Sequence, residues 1–205
     1  MLRNSWHYMP KCNRIMRFFA KIIFYKVLGW QLFGALDPII KKCVIIVVPH
    51  TSSFDFIMGL LIRSILKLRI NYLGKKELFT WPIGCYFRWT GGAPLDRTPR
   101  QNKVESIAKL FQEHKTFRLA LSPEGTRKKV SQWKTGFYYI ATSANVPIIP
   151  IAVDYAKKQV RIGDVFEPTG SIEKDLPVLQ RHFIGAVGHI PEFSWTPEPK
   201  NPSHS

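Results

Sequence analysis

The sequence predicts an α/β protein: a single domain with a largely parallel mixed sheet flanked by helices, preceded by an N-terminal amphipathic helix. Apolar runs of strand length alternate with helix-length segments of 3.6-residue periodicity, the pattern of a sheet wound with helices. One run, Val44–Val48, is apolar without alternation, as in a strand covered on both faces. The 205 residues are enough for one hydrophobic core, with at most an appendage.

From the N-terminus, residues 11–30 fit a helix. Met16, Phe19, Ile23, Val27 and Trp30 fall on one face, Arg14, Arg17 and Lys21 fall opposite, and Phe18 and Ile22 widen the apolar arc. A basic helix rich in aromatics can lie in a membrane interface or pack its apolar face on the core. Strands follow at 43–48, 69–73, 117–122, 146–153 and 159–162. Helices are expected at 54–67, 78–89, 102–114, 135–144 and 172–185. These divide the chain into an N-terminal helix over 1–32, a domain over 33–190 and a loose Pro-rich tail over 191–205.

Composition narrows the partners. Hydrophobic residues are 45% and charged residues 21%, so the chain folds. The formal net charge of +16 calls for an anionic partner: nucleic acid, lipid headgroup or phosphorylated substrate. The three cysteines are widely spaced with no C-x-x-C pair, which suggests neither a disulfide framework nor a zinc site. Arg3, Lys11, Arg14, Arg17, Lys21 and Lys26 interrupt every N-terminal apolar run before it reaches spanning length, so no transmembrane helix is expected.

Four segments carry candidate chemistry. In Val44–Phe56, "VIIVVPHTSSFDF", a strand delivers His50 at its exit and Asp55 five residues on. Ser52 and Asp55 fit a helix-capping pattern, which accounts for Asp55 but not for His50. A histidine oriented by a carboxylate accounts for both, as a general base. In "LALSPEGTRKK", Ser122-Pro123-Glu124 could start a helix, but Gly125 and Thr126 are poor formers where it should propagate. A binding loop fits better, with Gly125 admitting a ligand and Arg127 offering a bidentate fork for phosphate. "GGAPLDRTPR" places Arg97 after a glycine turn, and "YLGKKELF" places Lys75 and Lys76 after a strand. Each of these last two is weak alone.

Together and in order, the segments resemble the glycerolipid acyltransferase family typified by 1-acyl-sn-glycerol-3-phosphate acyltransferases. His50 to Asp55 matches the family's His-x-x-x-x-Asp box, and Lys75 to Leu78 its Lys-Lys-Glu-Leu segment. Gly92, Leu95 and Arg97 match the second block, and Pro123 to Arg127 the Pro-Glu-Gly-Thr-Arg block. Lys134 to Gly136 and Val146 to Pro150 match the last two. The resemblance covers about residues 45–153. The sequence departs at Pro49, where the family commonly has Asn, and at Ser122, where it commonly has Phe.

The resemblance implies a glycerol-3-phosphate acyltransferase-like fold and transfer of a fatty acyl group from a thioester to a lysophospholipid hydroxyl. No cofactor or metal is expected. The donor co-substrate would be an acyl-coenzyme A or an acyl carrier protein. Expected roles are His50 and Asp55 in catalysis, and Arg97, Glu124, Gly125, Thr126, Arg127 and Lys75 in substrate binding. Backbone N–H groups near Gly125 could meet the oxyanion. Other acceptors, such as glycerol 3-phosphate or a lyso-aminolipid, stay open. The rival from another class is a basic nucleic-acid-binding module; it lacks zinc spacing and aromatic RNA-binding signatures, and leaves His50, Asp55 and Glu124 unexplained, so no nucleic acid is expected. The expected location is peripheral, on an anionic membrane surface at the cytoplasmic face.

Overall fold

The computed structural model describes residues 14–95 and 103–197. A seven-stranded sheet runs in the order β1-β7-β6-β2-β5-β3-β4. The strands are β1 (Gln31–Phe33), β2 (Lys42–Val48), β3 (Asn71–Lys75), β4 (Gly92–Leu95), β5 (Phe117–Leu121), β6 (Ile148–Asp154) and β7 (Gln159–Ile162). All pairings are parallel except β6 with β7, so the expected largely parallel mixed sheet is found. The helices are α1 (Arg14–Lys21), α2 (Phe54–Leu66), α3 (Gly84–Trp89), α4 (Lys103–Glu113), α5 (Gly136–Ala144) and α6 (Ile172–Arg181).

β2 is the axis of the domain, because its side chains alternate between two cores. Val44, Ile46 and Val48 join Leu110, Phe111, Phe137, Tyr138 and Leu179 of α4, α5 and α6 on one face. Cys43 and Ile45 join Ala20, Met58, Ile62 and Ile65 of α1 and α2 on the other. Burial on both faces is why the run shows no polar alternation.

Two strands escaped the sequence reading. β1 is three residues long, too short for a periodic signal, and β4 starts within the Gly91-Gly92 pair, which predicts a turn, and carries Pro94. β4 is an edge strand paired only with β3, where a proline without an N–H is tolerated. Gly92 is required there, since a Cβ would meet the Tyr72 ring at 2.7 Å. The expected helix over 78–89 is also divided. A 3₁₀ turn covers Lys76–Phe79, and α3 begins only at Gly84, past Pro82, whose ring disfavours helix at Trp81.

The N-terminal helix differs most. After Lys21 the turns widen to i→i+5 spacing over Ile22–Val27, with Leu28 N–H donating to Ile23 O at 2.8 Å. This widening rotates the buried stripe. Ala20, Phe24 and Trp30 pack into the core with α2, and Arg17 Nε donates to the Ile65 carbonyl at 3.1 Å. Phe19, Ile23 and Val27, expected on the same stripe as Trp30, are exposed together with Phe18 and Ile22. The helix therefore packs on the core by one stripe and presents an apolar arc by another. Among the described residues no helix is long and apolar enough to cross a membrane.

The expected loose tail from Pro191 is ordered through Trp195. That ring is buried against Trp133, 5.0 Å between centroids, and Trp133 in turn contacts Phe183. Trp195→Ala should therefore cost about 3–5 kcal/mol, seen as a lower midpoint in denaturant unfolding. An unchanged midpoint would mean that the 191–195 segment adds nothing to the core.

Candidate active site

Three adjacent strands, β6, β2 and β5, run parallel and end at one edge, in register from Ile149↔Ile45↔Ala120 to Pro150↔Ile46↔Leu121. Each delivers one side chain just past its end: Tyr155 from β6, His50 from β2 and Glu124 from β5. The carboxyl edge is where open α/β sheets bind ligands, because the following loops fan outward there.

α2 begins four residues after His50, which puts Asp55 in its first turn. The Asp55 carboxylate is the hub of the site. Its Oδ2 accepts the backbone N–H groups of Thr51 (2.8 Å) and Ser52 (2.9 Å) and faces His50 Nδ1 at 3.1 Å. Its Oδ1 accepts the Tyr155 hydroxyl at 2.6 Å. Half of the capping box read from the sequence is found: Asp55 accepts the Ser52 N–H, but Ser52 Oγ accepts the Phe54 N–H at 3.1 Å, and Ser53, the residue before α2, makes no side-chain cap bond. Burial pushes the Asp55 pKa up, but the hydrogen bonds from His50, Tyr155 and Ser52 outweigh it and hold the carboxyl below its ordinary range. Asp55 is therefore an anion at neutral pH. With Nδ1 held by Asp55, Nε2 is the basic atom left on a ring that is 30% exposed.

Glu124 is 1% exposed. Its Oε2 accepts the His50 N–H at 2.6 Å and the Ser122 hydroxyl at 3.2 Å, so β5's exit pins the backbone of the histidine. Its Oε1 has no hydrogen-bond partner among the described residues. Residues 122–127 form a loop, not the helix start that Ser122 and Pro123 permitted. Gly125 has φ +64°, and a Cβ there would press on Lys134 Cδ at 2.8 Å. The Gly125 N–H donates to the Ser122 carbonyl at 3.2 Å. Thr126 Oγ1 accepts the Lys128 N–H at 3.3 Å. Arg127 Nη1 donates to Ser53 Oγ at 2.8 Å, which holds a guanidinium at the start of α2. Lys75 is exposed at the end of β3, on the same edge but two strands from β2. Arg97 lies outside the described residues. Among the described residues no group of His, Cys, Asp and Glu is arranged to hold a metal ion.

The sequence reading missed Tyr155 and the segment over the histidine box. Thr51 Oγ1 accepts the Ile190 N–H at 3.0 Å, and the His189 ring contacts Phe54 at 5.4 Å and Tyr155 at 5.2 Å. Nothing local marks these residues; only the parallel pairing of β2 with β6 and the return of the chain after α6 bring them to the site.

An imidazole oriented by an anionic carboxylate at a strand edge, with a buried glutamate and a guanidinium beside it, is an arrangement able to take a proton from a hydroxyl. Residues 33–154 match the Acyltransferase family, and the chain belongs to it. The 1-acyl-sn-glycerol-3-phosphate acyltransferase of Salmonella typhimurium is 29% identical over 119 residues, covering 55% of this chain and 47% of that protein. The Saccharomyces cerevisiae enzyme of the same name is 29% identical over 125 residues, covering 57% and 40%. The human 1-acyl-sn-glycerol-3-phosphate acyltransferase beta is 31% identical over 117 residues, covering 54% and 41%. The chain thus spans less than half the length of these relatives. The fold is similar to the crystal structure of the 1-acyl-sn-glycerophosphate (LPA) acyltransferase PlsC from Thermotoga maritima, with a TM-score of 0.56 at 18% identity, over 81% of this chain and 74% of that one.

Glu124 provides a test of the site's electrostatics. Burial lifts its pKa from 4.5 to about 7, against the opposing hydrogen bonds from His50 N–H and Ser122. A carboxyl with a raised folded pKa binds its proton more tightly in the folded state. Its support of the fold is complete below 4.5 and is lost as pH rises through about 7. Glu124→Gln should gain Tm relative to wild type across that window, and a difference in Tm independent of pH would show that Glu124 titrates as an exposed carboxylate does.

Proposed function

We propose that the protein is an O-acyltransferase that moves a fatty acyl group from an acyl thioester to the hydroxyl of a lysophospholipid such as 1-acyl-sn-glycerol 3-phosphate. The observation that carries the reading is His50 Nδ1 held 3.1 Å from a fully committed Asp55 carboxylate at the edge of the sheet. His50 Nε2 takes the acceptor's hydroxyl proton as that oxygen bonds to the thioester carbonyl carbon. The tetrahedral adduct then breaks its C–S bond, and the thiolate leaves with the proton that His50 returns. Asp55 fixes the ring tautomer and stabilises the imidazolium formed between the two steps. A thioester is already activated, so no covalent enzyme intermediate is required.

The roles extend to the neighbours. Tyr155 positions Asp55, and Glu124 positions His50 while keeping Oε1 for the acceptor. Arg127, with Arg97 and Lys75, supplies cations for the phosphate, and guanidinium suits bidentate contact. The donor is an acyl-coenzyme A or an acyl carrier protein. Attachment is peripheral, on an anionic membrane surface at the cytoplasmic face, through the exposed arc of α1 and the widened turns after it. Phe18, Phe19, Ile23 and Val27 would enter the interface there while Arg14 and Lys21 meet headgroups. The match to enzymes named for 1-acyl-sn-glycerol 3-phosphate supports that acceptor over the other glycerolipids.

Thioester-release assays with a lysolipid panel test the reading. His50→Ala should lower turnover by about 10²–10⁴ or more, and Asp55→Asn by less. Tyr155→Phe should lower kcat severalfold and move the acid limb of kcat/KM to higher pH, because losing a donor leaves more charge on Asp55 to stabilise the imidazolium. Near-wild-type turnover by His50→Ala would sink the mechanism, and an unmoved acid limb would reduce Tyr155 to packing.

Arg127→Ala should raise KM for a phosphorylated acceptor by roughly 10–100-fold, the equivalent of one charge-assisted contact of about 1.5–3 kcal/mol. Arg127→Lys should recover only part of it. A normal KM in the alanine variant would place the phosphate elsewhere.

A further inference from the structure

The two faces of the domain are unequal. α4, α5 and α6 cover one face of the sheet, and α1 and α2 cover the other. α3 lies beside α2: Phe56 contacts Phe87 at 5.5 Å between ring centroids, and Arg63 donates to the Thr90 carbonyl. Apart from Tyr139, Val165, Val178 and Ile184, every exposed large hydrophobic among the described residues falls between Ile15 and Trp89. The α1 arc accounts for only part of these. A second cluster occupies the stretch from β3 to β4. Trp81 is 86% exposed and Ile83 62%, and Tyr86 and Trp89 lie one turn apart on α3 with ring centroids 6.3 Å apart. Exposed aromatic clusters of this extent mark contact surfaces.

We propose that the Leu78–Trp89 segment is a second membrane-contact surface, seating its aromatic residues in the interface of an anionic bilayer. Three features select lipid as the occupant. The exposed rings are Trp and Tyr, the residues whose amphipathic rings favour the headgroup level. Their flanking charge is cationic: Lys75 and Lys76 are exposed and Arg88 is half-buried, and the only acid in the stretch is Glu77. And the segment departs from the end of β3, the sheet edge that carries His50 and Glu124. One helix would leave the domain free to roll on the surface. Two contacts, one through α1 packed on α2 and one through the segment that meets α2 at Phe56, fix its orientation, with Asp55 in the first turn of α2. That bilayer is the relevant surface rests on the lipid acyltransferase reading, but the readout below needs no turnover.

The test uses the full chain, α1 intact, and vesicles of phosphatidylcholine containing phosphatidylglycerol. Trp81→Gln/Ile83→Gln, which adds no charge, should weaken vesicle affinity by about tenfold or more and leave transfer to a short, water-soluble acceptor unchanged. Brominated lipid should quench the wild-type fluorescence, and quench it less in Trp81→Phe, a variant that keeps an apolar ring where the double variant fails to fold. Wild-type affinity in the double variant, or equal quenching in wild type and Trp81→Phe, would overturn the proposal. A shift from dimer to monomer on sedimentation with vesicle binding unchanged would overturn it too, because the surface would then meet a second copy of the chain. Vesicle binding by a wild type that transfers no acyl group would sink the reading of the site and leave the surface standing.

Discussion

The Asp55 carboxylate is the constraint on which the rest of the site depends. One anion receives the His50 ring, two backbone N–H groups of its own loop and the Tyr155 hydroxyl. Those partners come from the exits of β2 and β6 and from the turn into α2, so a single group locks together two strands and a helix. Burying a carboxylate is costly unless it is hydrogen-bonded, and here the hydrogen bonds prevail, with the pKa below its ordinary range. Its position in the first turn of α2 adds the favourable end of the helix dipole. The loop from Pro49 to Ser53 cannot reorganise without stripping partners from a buried charge, and that cost is what holds the imidazole in one orientation.

Glu124 stands in the opposite electrostatic condition three residues past the end of the neighbouring strand. Both carboxylates contact His50, but Asp55 meets the ring and Glu124 meets the backbone N–H. Asp55 has four donors and stays ionised; Glu124 is buried with one oxygen unpartnered among the described residues and is pushed up to about 7. Two acids beside one histidine thus differ in charge near neutral pH because of their donors, not their residue type. A carboxyl in that condition can accept or donate toward an acceptor oxygen, whereas Asp55 can only accept.

How much was legible in the sequence follows from which contacts are local. His50 and Asp55 are five residues apart across a strand–helix junction, so spacing offered their pairing beside a helix cap, and the family's His-x-x-x-x-Asp box favoured the pair. Glu124 was readable as an acid at a strand exit, in a stretch where Gly125 argued against a helix. β7 lies where it was expected, and β2, β5 and β6 differ from expectation only at their ends. Tyr155 was not readable: it is 100 residues from Asp55, and only the β2–β6 register joins them. The buried stripe of α1 was misread because a 3.6-residue period was extended through Ile22–Val27, where the turns are wider. Trp195 was misread because four prolines near it signal loose chain, while its contact with Trp133 is a tertiary fact.

The same N-terminal segment ties the surface to the site. Trp30, three residues past the widened turns after α1, meets the Tyr155 ring edge-on at 4.9 Å, 88° between planes, and Tyr155 donates to Asp55. Trp30 also contacts Phe24, the buried anchor of the widened turns, at 6.0 Å. From the exposed arc at Ile23 and Val27 to the Asp55 carboxylate there is thus an unbroken line of packed rings: Phe24, Trp30, Tyr155. Close-packed interiors transmit displacement because they have no slack to absorb it. On the function proposed above, a lipid surface that held the segment after α1 would also hold the ring that donates to Asp55.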